Sequence, residues 1–166
     1  DTGNKLMNFL SICLKQKTQN SDITFSELYN QTQKKLIIYG TCLNSQTESI
    51  FSVDTTPDMC VLEAVRISIS IPLFYTMCNY NNESYVDGAL ASSYPITLFE
   101  NELEKTIGFY FRSSINYIEN IDNIEKYMNC VLNTVYRNLD KYVIEKYKDY
   151  TILLHPEMDS LNFNLT

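Results

Sequence analysis

The 166-residue sequence is poor in glycine and histidine and has no tryptophan, and the first two shortages limit its chemistry. Its four glycines are Gly3, Gly40, Gly88 and Gly108. No two of them are four residues apart, so the sequence contains neither a G-x-S-x-G nucleophile turn nor a glycine-rich oxyanion loop. Because His155 is the one histidine, a serine-histidine-aspartate triad would have to use it. We favour the alternative, in which His155 ends a strand at the surface.

The sequence also lacks cysteine pairs and long apolar runs. None of its five cysteines forms a C-x-x-C pair, which argues against a disulfide framework or a zinc knuckle and favours reduced thiols. There is no signal peptide and no apolar run of about 18 residues. We therefore expect a cytoplasmic protein, with peripheral contact at a membrane surface left open.

Basic residues are outnumbered, with 13 Lys and Arg against 20 Asp and Glu, which gives a formal net charge of −7. This balance argues against binding to nucleic acid or attraction to anionic membranes as the main activity. The 13 tyrosines are not interleaved with basic residues, so we interpret them as compositional bias rather than a base-stacking surface. The length suits one domain.

Hydrophobic periodicity predicts helices that alternate with strands, which is typical of an α/β fold with a layered sheet. Helices are expected over 4–17, from the Thr24 capping box through Gln31, after Pro57, and over 121–147. Strands are expected over 35–43, 48–53, 75–80, up to 86, over 105–112 and over 151–154. In the helix after Pro57, Val61, Leu62 and Val65 are expected to face inward. In the long helix we expect one stripe to cover the core, formed by Ile124, Met128, Val131, Val135, Leu139 and Tyr142.

The segment Tyr85–Ala89 carries the clearest functional signal. Asp87 ends an apolar run and is followed by Gly88, an arrangement that presents a carboxylate on a tight turn beyond a strand. A lone Asp-Gly pair after a strand is most often only a turn. Its interpretation therefore depends on the surrounding sequence.

Five blocks of the sequence follow one another in an order and spacing that resemble the C-terminal half of patatin-like phospholipases. They are Asp22–Tyr29, Lys35–Leu43, Thr55–Met59, Ala64–Phe74 and Tyr85–Ala89. The likeness is strong over about residues 1–100 and looser beyond, where Thr151–Leu154 and Leu161–Phe163 correspond to the last core strand and its following loop.

The resemblance implies a three-layer α/β/α sheet and a lipid acyl hydrolase that uses a Ser-Asp dyad on phospholipids or other fatty acyl esters. It places the D-G-[GA] motif at Asp87, Gly88 and Ala89, with Asp87 as the catalytic aspartate that hydrogen-bonds the serine hydroxyl and takes its proton, and Gly88 turning the backbone without a Cβ clash. No metal, nucleotide or other cofactor is implied. In the family's order the serine elbow and oxyanion loop precede Asp1. We therefore expect residues 1–166 to be the C-terminal portion of a single patatin-like domain, inactive by itself.

The alternative is a non-catalytic patatin-like module that binds lipid or a partner protein. Several nearby residues also have plainer interpretations. Ser68 and Ser70 flank an apolar helix end and are expected to pack or cap, and Arg66 is expected to form a surface salt bridge rather than bind a phosphate headgroup. Ser92 and Ser93 depart from the family, where an Asp or Asn is common before the next proline.

Overall fold

The structure, a computed structural model of the chain, describes residues 3–112 and 117–155. They fall into two compact units that divide between Ser92 and Ser93. The loop predicted at Leu161–Phe163 lies outside the described residues. Both units mix helices with strands, so the α/β class is confirmed, whereas the three-layer arrangement and the single domain stay predictions.

The first unit contains a four-stranded antiparallel sheet in the order β2-β1-β4-β3. Its elements are α1 (Asn4–Thr18), α2 (Phe25–Thr32), β1 (Ile37–Cys42), β2 (Thr47–Ser52), α3 (Val61–Ser68), β3 (Cys78–Tyr80), β4 (Glu83–Asp87) and α4 (Ala89–Ser92). The predicted capping box starts α2: the Glu27 amide donates to Thr24 Oγ1 at 3.2 Å and the Thr24 amide to Glu27 Oε2 at 3.0 Å. Both orphan amides are thus satisfied.

The core of this unit lies between α3 and the sheet, where Phe25, Phe51, Ile67 and Tyr85 are buried. Burial of apolar surface at this interface is the main contribution to its stability. Because both neighbours of β4 pair with it, the strand that ends at Asp87 is central in the sheet.

The prediction for α3 needs two corrections. The helix begins at Val61 rather than after Pro57, because the preceding residues form turns in which the Thr55 and Thr56 amides donate to the Ser52 carbonyl. Its buried face is Val61, Ala64 and Ile67, whereas Leu62 and Val65 are only partly buried. The helix ends at Ser68, before Pro72, as expected.

The second unit holds two parallel strands, β5 (Gly108–Phe111) and β6 (Thr151–Leu154), and the long helix α5 (Ile124–Lys146). The predicted strand over 105–112 is shorter, because a 3₁₀ run occupies Pro95–Lys105 and the Thr106 amide still donates to the Leu103 carbonyl at its end. A 3₁₀ turn, Lys148–Tyr150, connects α5 to β6. Among the described residues, no helix is both long and apolar enough to cross a bilayer.

The expectation that the apolar stripe of α5 covers a core is wrong. Ile124 is 74% exposed and Tyr142 80% exposed, and Val131, Val135 and Leu139 are exposed as well. The buried side of the helix contains Asp140, which accepts hydrogen bonds from the Ser93 and Tyr110 hydroxyls. Asp140 shares this side, at helical spacing, with the partly buried Leu132, Tyr136 and Val143, so a different stripe from the predicted one faces inward.

Candidate active site

Asp87 is the last residue of β4, and its backbone is held on both sides. Its amide donates to the Ser70 carbonyl at 3.0 Å, and its carbonyl accepts the Thr41 hydroxyl at 2.9 Å. It lies opposite Gly40 in the antiparallel register of β1 and β4. The direction in which this residue leaves the sheet is therefore fixed by two neighbouring elements.

The Asp87 carboxylate is partly buried and has one oxygen engaged. Oδ1 accepts the Ala89 amide at 2.8 Å, and Ala89 is the only donor to this carboxylate among the residues that the structure describes. Burial raises the pKa of the Asp87 carboxyl, and the Ala89 hydrogen bond opposes the rise without cancelling it. The group therefore has an open acceptor, Oδ2, and a proton affinity above that of an ordinary aspartate.

Gly88 is buried against the backbone of β1. A Cβ at this position would lie 2.7 Å from both the carbonyl carbon and the carbonyl oxygen of Tyr39, so no side chain fits. Its φ lies outside the left-handed region, which means that glycine supplies space here rather than a special conformation. Beyond it the Gly88 carbonyl accepts the Ala91 and Ser92 amides at 3.1 and 2.9 Å and begins α4.

The other candidate residues have structural contacts. Ser70 is fully buried, and its hydroxyl donates to the Arg66 carbonyl at 2.6 Å, so a nucleophilic role has no support. Arg66 does not form the expected surface salt bridge with the described acids: its guanidinium donates to Ser70 Oγ and to the Thr76 carbonyl. His155 is exposed directly after β6, as predicted.

Two residues that hold Asp87 were missed by sequence reasoning. The sequence identifies Thr41 only as part of a strand, and it carries no signal for the hydrogen bond that the Ser70 carbonyl accepts from Asp87. A signal for Thr41 did exist, since Gly40 precedes it inside a strand and a strand glycine often marks a close approach of another backbone. No cluster of three or more His, Cys, Asp or Glu able to hold a metal occurs in the described ranges.

A family profile described as patatin-like phospholipase matches residues 4–100, which include α1 through α4 and the Asp87 turn. The chain belongs to the patatin-like phospholipase family. The resemblance inferred from the five ordered blocks is thereby confirmed.

Two viral relatives resemble the chain. An uncharacterised protein of Acanthamoeba polyphaga mimivirus is 34% identical over 98% of this chain and 57% of its own length. A protein of Invertebrate iridescent virus 6 named "Probable lipid hydrolase 463L" is 31% identical over 58% of this chain and 33% of its own length. The chain thus spans about half the length of the first relative, and its match to the second covers a third of that protein.

Proposed function

We propose that the chain carries the aspartate of a Ser-Asp dyad in a lipid acyl hydrolase, and that this aspartate is Asp87. The observation that carries the proposal is the state of its carboxylate: one oxygen is held by Ala89, the other has no described donor, and burial raises its pKa. A general base works best when its pKa approaches the working pH and its acceptor oxygen is open to the proton donor.

In the proposed reaction a serine hydroxyl donates its hydrogen bond to Asp87. As the serine oxygen bonds to the ester carbonyl carbon, Asp87 takes the hydroxyl proton, and the alcohol then leaves with that proton as the acyl-enzyme forms. In the second half, water attacks the acyl-enzyme carbonyl carbon and gives a proton to Asp87. Asp87 returns this proton to the serine oxygen as the bond between that oxygen and the acyl carbon breaks, which releases the fatty acid and restores the serine hydroxyl. Neither half requires a metal or a nucleotide.

We propose that the serine and its oxyanion loop belong to a further part of the protein. The four glycines of this sequence leave no place for a G-x-S-x-G elbow, and the buried Ser70 is already committed to Arg66. The relatives are longer than the part that matches here, as the 57% coverage of the mimivirus protein illustrates. Residues 1–166 are then the C-terminal portion of a three-layer patatin-like domain.

The proposed substrates are phospholipids or other fatty acyl esters. The relative whose printed name is a lipid hydrolase supports this class, as does the family of the chain. A cytoplasmic enzyme with peripheral access to a membrane surface would meet such esters.

The proposal is tested by comparing this chain with the longer protein that the proposal requires, on a short-chain nitrophenyl ester and on phosphatidylcholine vesicles. We expect the chain alone to hydrolyse neither and the longer protein to hydrolyse both. Asp87→Asn in the longer protein should reduce kcat by about 10²- to 10⁴-fold, the usual contribution of a general base. The matched control is Asp58→Asn, which removes an exposed carboxylate of the same unit and should leave kcat unchanged.

Each contrary result has a distinct meaning. Turnover by the chain alone that disappears in Asp87→Ala would place the nucleophile within residues 1–166. Full activity of the longer Asp87→Asn variant would remove Asp87 from the mechanism. A longer protein that hydrolyses neither ester would favour the non-catalytic lipid- or protein-binding module.

A further inference from the structure

The amide of Asp87 is fixed by a residue that lies just beyond the end of α3. Ser70, two residues past the helix, is fully buried and presents its carbonyl to the Asp87 amide at 3.0 Å. The position of this carbonyl therefore sets where β4 ends and how deep the Asp87 side chain lies. What holds Ser70 in turn bears directly on the candidate site.

The Ser70 hydroxyl is tied back to the last turns of the helix. It donates to the Arg66 carbonyl at 2.6 Å and accepts a hydrogen bond from Arg66 Nη1. The Cys78 thiol lies 3.2 Å from the same oxygen. These contacts restrict rotation of the Ser70 side chain and tie this residue to the last turns of α3.

The Arg66 guanidinium extends this connection to the start of β3. Its second nitrogen, Nη2, donates to the Thr76 carbonyl at 3.2 Å. The central guanidinium carbon, Arg66 Cζ, lies 5.6 Å from the centre of the Tyr75 ring. Thr76 leads into β3, whose Cys78 pairs with Tyr85 of β4. Arg66 thus joins the two segments between which the last residues of β4 are held.

We propose that Arg66 and Ser70 are positioning residues for the Asp87 carboxylate. The fork of Arg66 and the buried hydroxyl of Ser70 hold the Ser70 carbonyl against the Asp87 amide, and so keep the carboxylate at its partly buried depth. The catalytic meaning of this inference rests on the proposed function, whereas the contacts of Arg66 and Ser70 are independent of it. The described hydrogen bonds of the Arg66 guanidinium are with Ser70 and Thr76 and not with the Asp87 carboxylate, so its proposed effect passes through Ser70.

The test is a pH titration of the Asp87 carboxyl carbon by NMR in the full chain, with amide hydrogen exchange of Asp87 as a second readout. Ser70→Ala removes the hydroxyl and leaves Arg66 Nη1 without its acceptor. Arg66→Lys retains the positive charge but cannot donate from two nitrogens in a fixed fork. In both variants we expect the Asp87 pKa to fall towards its ordinary value as the carboxylate becomes hydrated, and its amide to exchange about five- to tenfold faster.

The control is Thr24→Ala, which removes the cap of α2 in the same unit and destabilises the fold without touching β4. It should leave the Asp87 pKa unchanged. The proposal is overturned if Asp87 titrates as in the unsubstituted chain in both variants, or if Thr24→Ala produces the same fall. Should Ser70→Ala not fold, Arg66→Lys alone decides. Since this readout needs no serine, a failure of hydrolysis in the longer protein would refute the proposed function and leave this result intact.

Discussion

Gly88→Ala is the substitution for which the structure makes the sharpest prediction about stability. The added Cβ would lie 2.7 Å from both the carbonyl carbon and the carbonyl oxygen of Tyr39 and 2.8 Å from the Tyr39 Cβ. These are backbone atoms of β1 and the first atom of a side chain, and none of them can move away by changing a rotamer. Relief of the clash therefore requires β1 and the end of β4 to separate.

The expected cost follows from what that separation breaks. Overpacking in a well-packed region costs about 1–3 kcal/mol. The two hydrogen bonds that hold the Asp87 backbone, from its amide to Ser70 and from Thr41 to its carbonyl, contribute about 0.5–1.5 kcal/mol each. We expect Gly88→Ala to lower the free energy of unfolding by about 2–6 kcal/mol, a large part of the roughly 5–15 kcal/mol typical of a folded domain.

The matched control is Gly40→Ala on the neighbouring strand, directly opposite Asp87 in the register. Its Cβ would approach Ile67 Cγ2 at 2.7 Å and Phe51 Cε2 at 2.8 Å, which are side-chain atoms of the core and can shift slightly without separating two strands. Its cost should stay within the overpacking range of about 1–3 kcal/mol. Urea unfolding followed by far-UV circular dichroism measures both variants. If Gly88→Ala is no more destabilising than Gly40→Ala, the argument from backbone contact is refuted.

Two further predictions concern the partly buried Asp87 and the buried Asp140. Because burial raises the folded-state pKa of Asp87 above its ordinary value of 3.8, its stabilising contribution is full below about pH 4 and is lost as pH rises through the folded pKa. Asp87→Asn should therefore have a higher free energy of unfolding than the unsubstituted chain at pH 7 and lose that advantage near pH 3. Urea unfolding at both pH values measures this difference, and a difference that does not change with pH would contradict the prediction. Tyr110→Phe removes the hydroxyl that donates to buried Asp140 at 2.6 Å and should cost about 1–3 kcal/mol by the same assay, whereas Tyr142→Phe, at an 80% exposed position, should cost nothing measurable.

Local sequence signals predicted those elements whose causes are themselves local. The capping box at Thr24 starts α2 where expected, and the apolar periods of α1 and β6 correspond to the observed elements within one residue. Signals failed where a contact distant in sequence decided the outcome. Asp140 is the buried residue of α5, and its hydrogen-bond partners Ser93 and Tyr110 are 47 and 30 residues away. No periodicity calculation includes such pairs.

The candidate site shows the same division. The Asp-Gly turn could be read from the sequence, but the partners that orient it, Thr41 and Ser70, lie 46 and 17 positions earlier in the chain and become neighbours only through the sheet and the end of α3. Arg66 illustrates the limit most directly. Its spacing on α3 suggests a solvent-facing charge, yet the chain folds back so that the guanidinium binds a buried serine and a loop carbonyl.

What separates Asp87 from an ordinary turn aspartate is the environment of the turn and not its hydrogen-bond pattern. A turn aspartate commonly accepts the amide two residues ahead, as Asp87 accepts that of Ala89, and it is usually solvated. Here the carboxylate is partly buried, its pKa is raised, and the following glycine is required because the backbone of β1 occupies the space of a side chain. A turn that served only to reverse the chain would gain nothing from withdrawing a charge from water, since burial of an unpaired carboxylate is unfavourable. The cost is understandable if the open oxygen has a hydroxyl to bind, which is the role that the proposed dyad assigns to it.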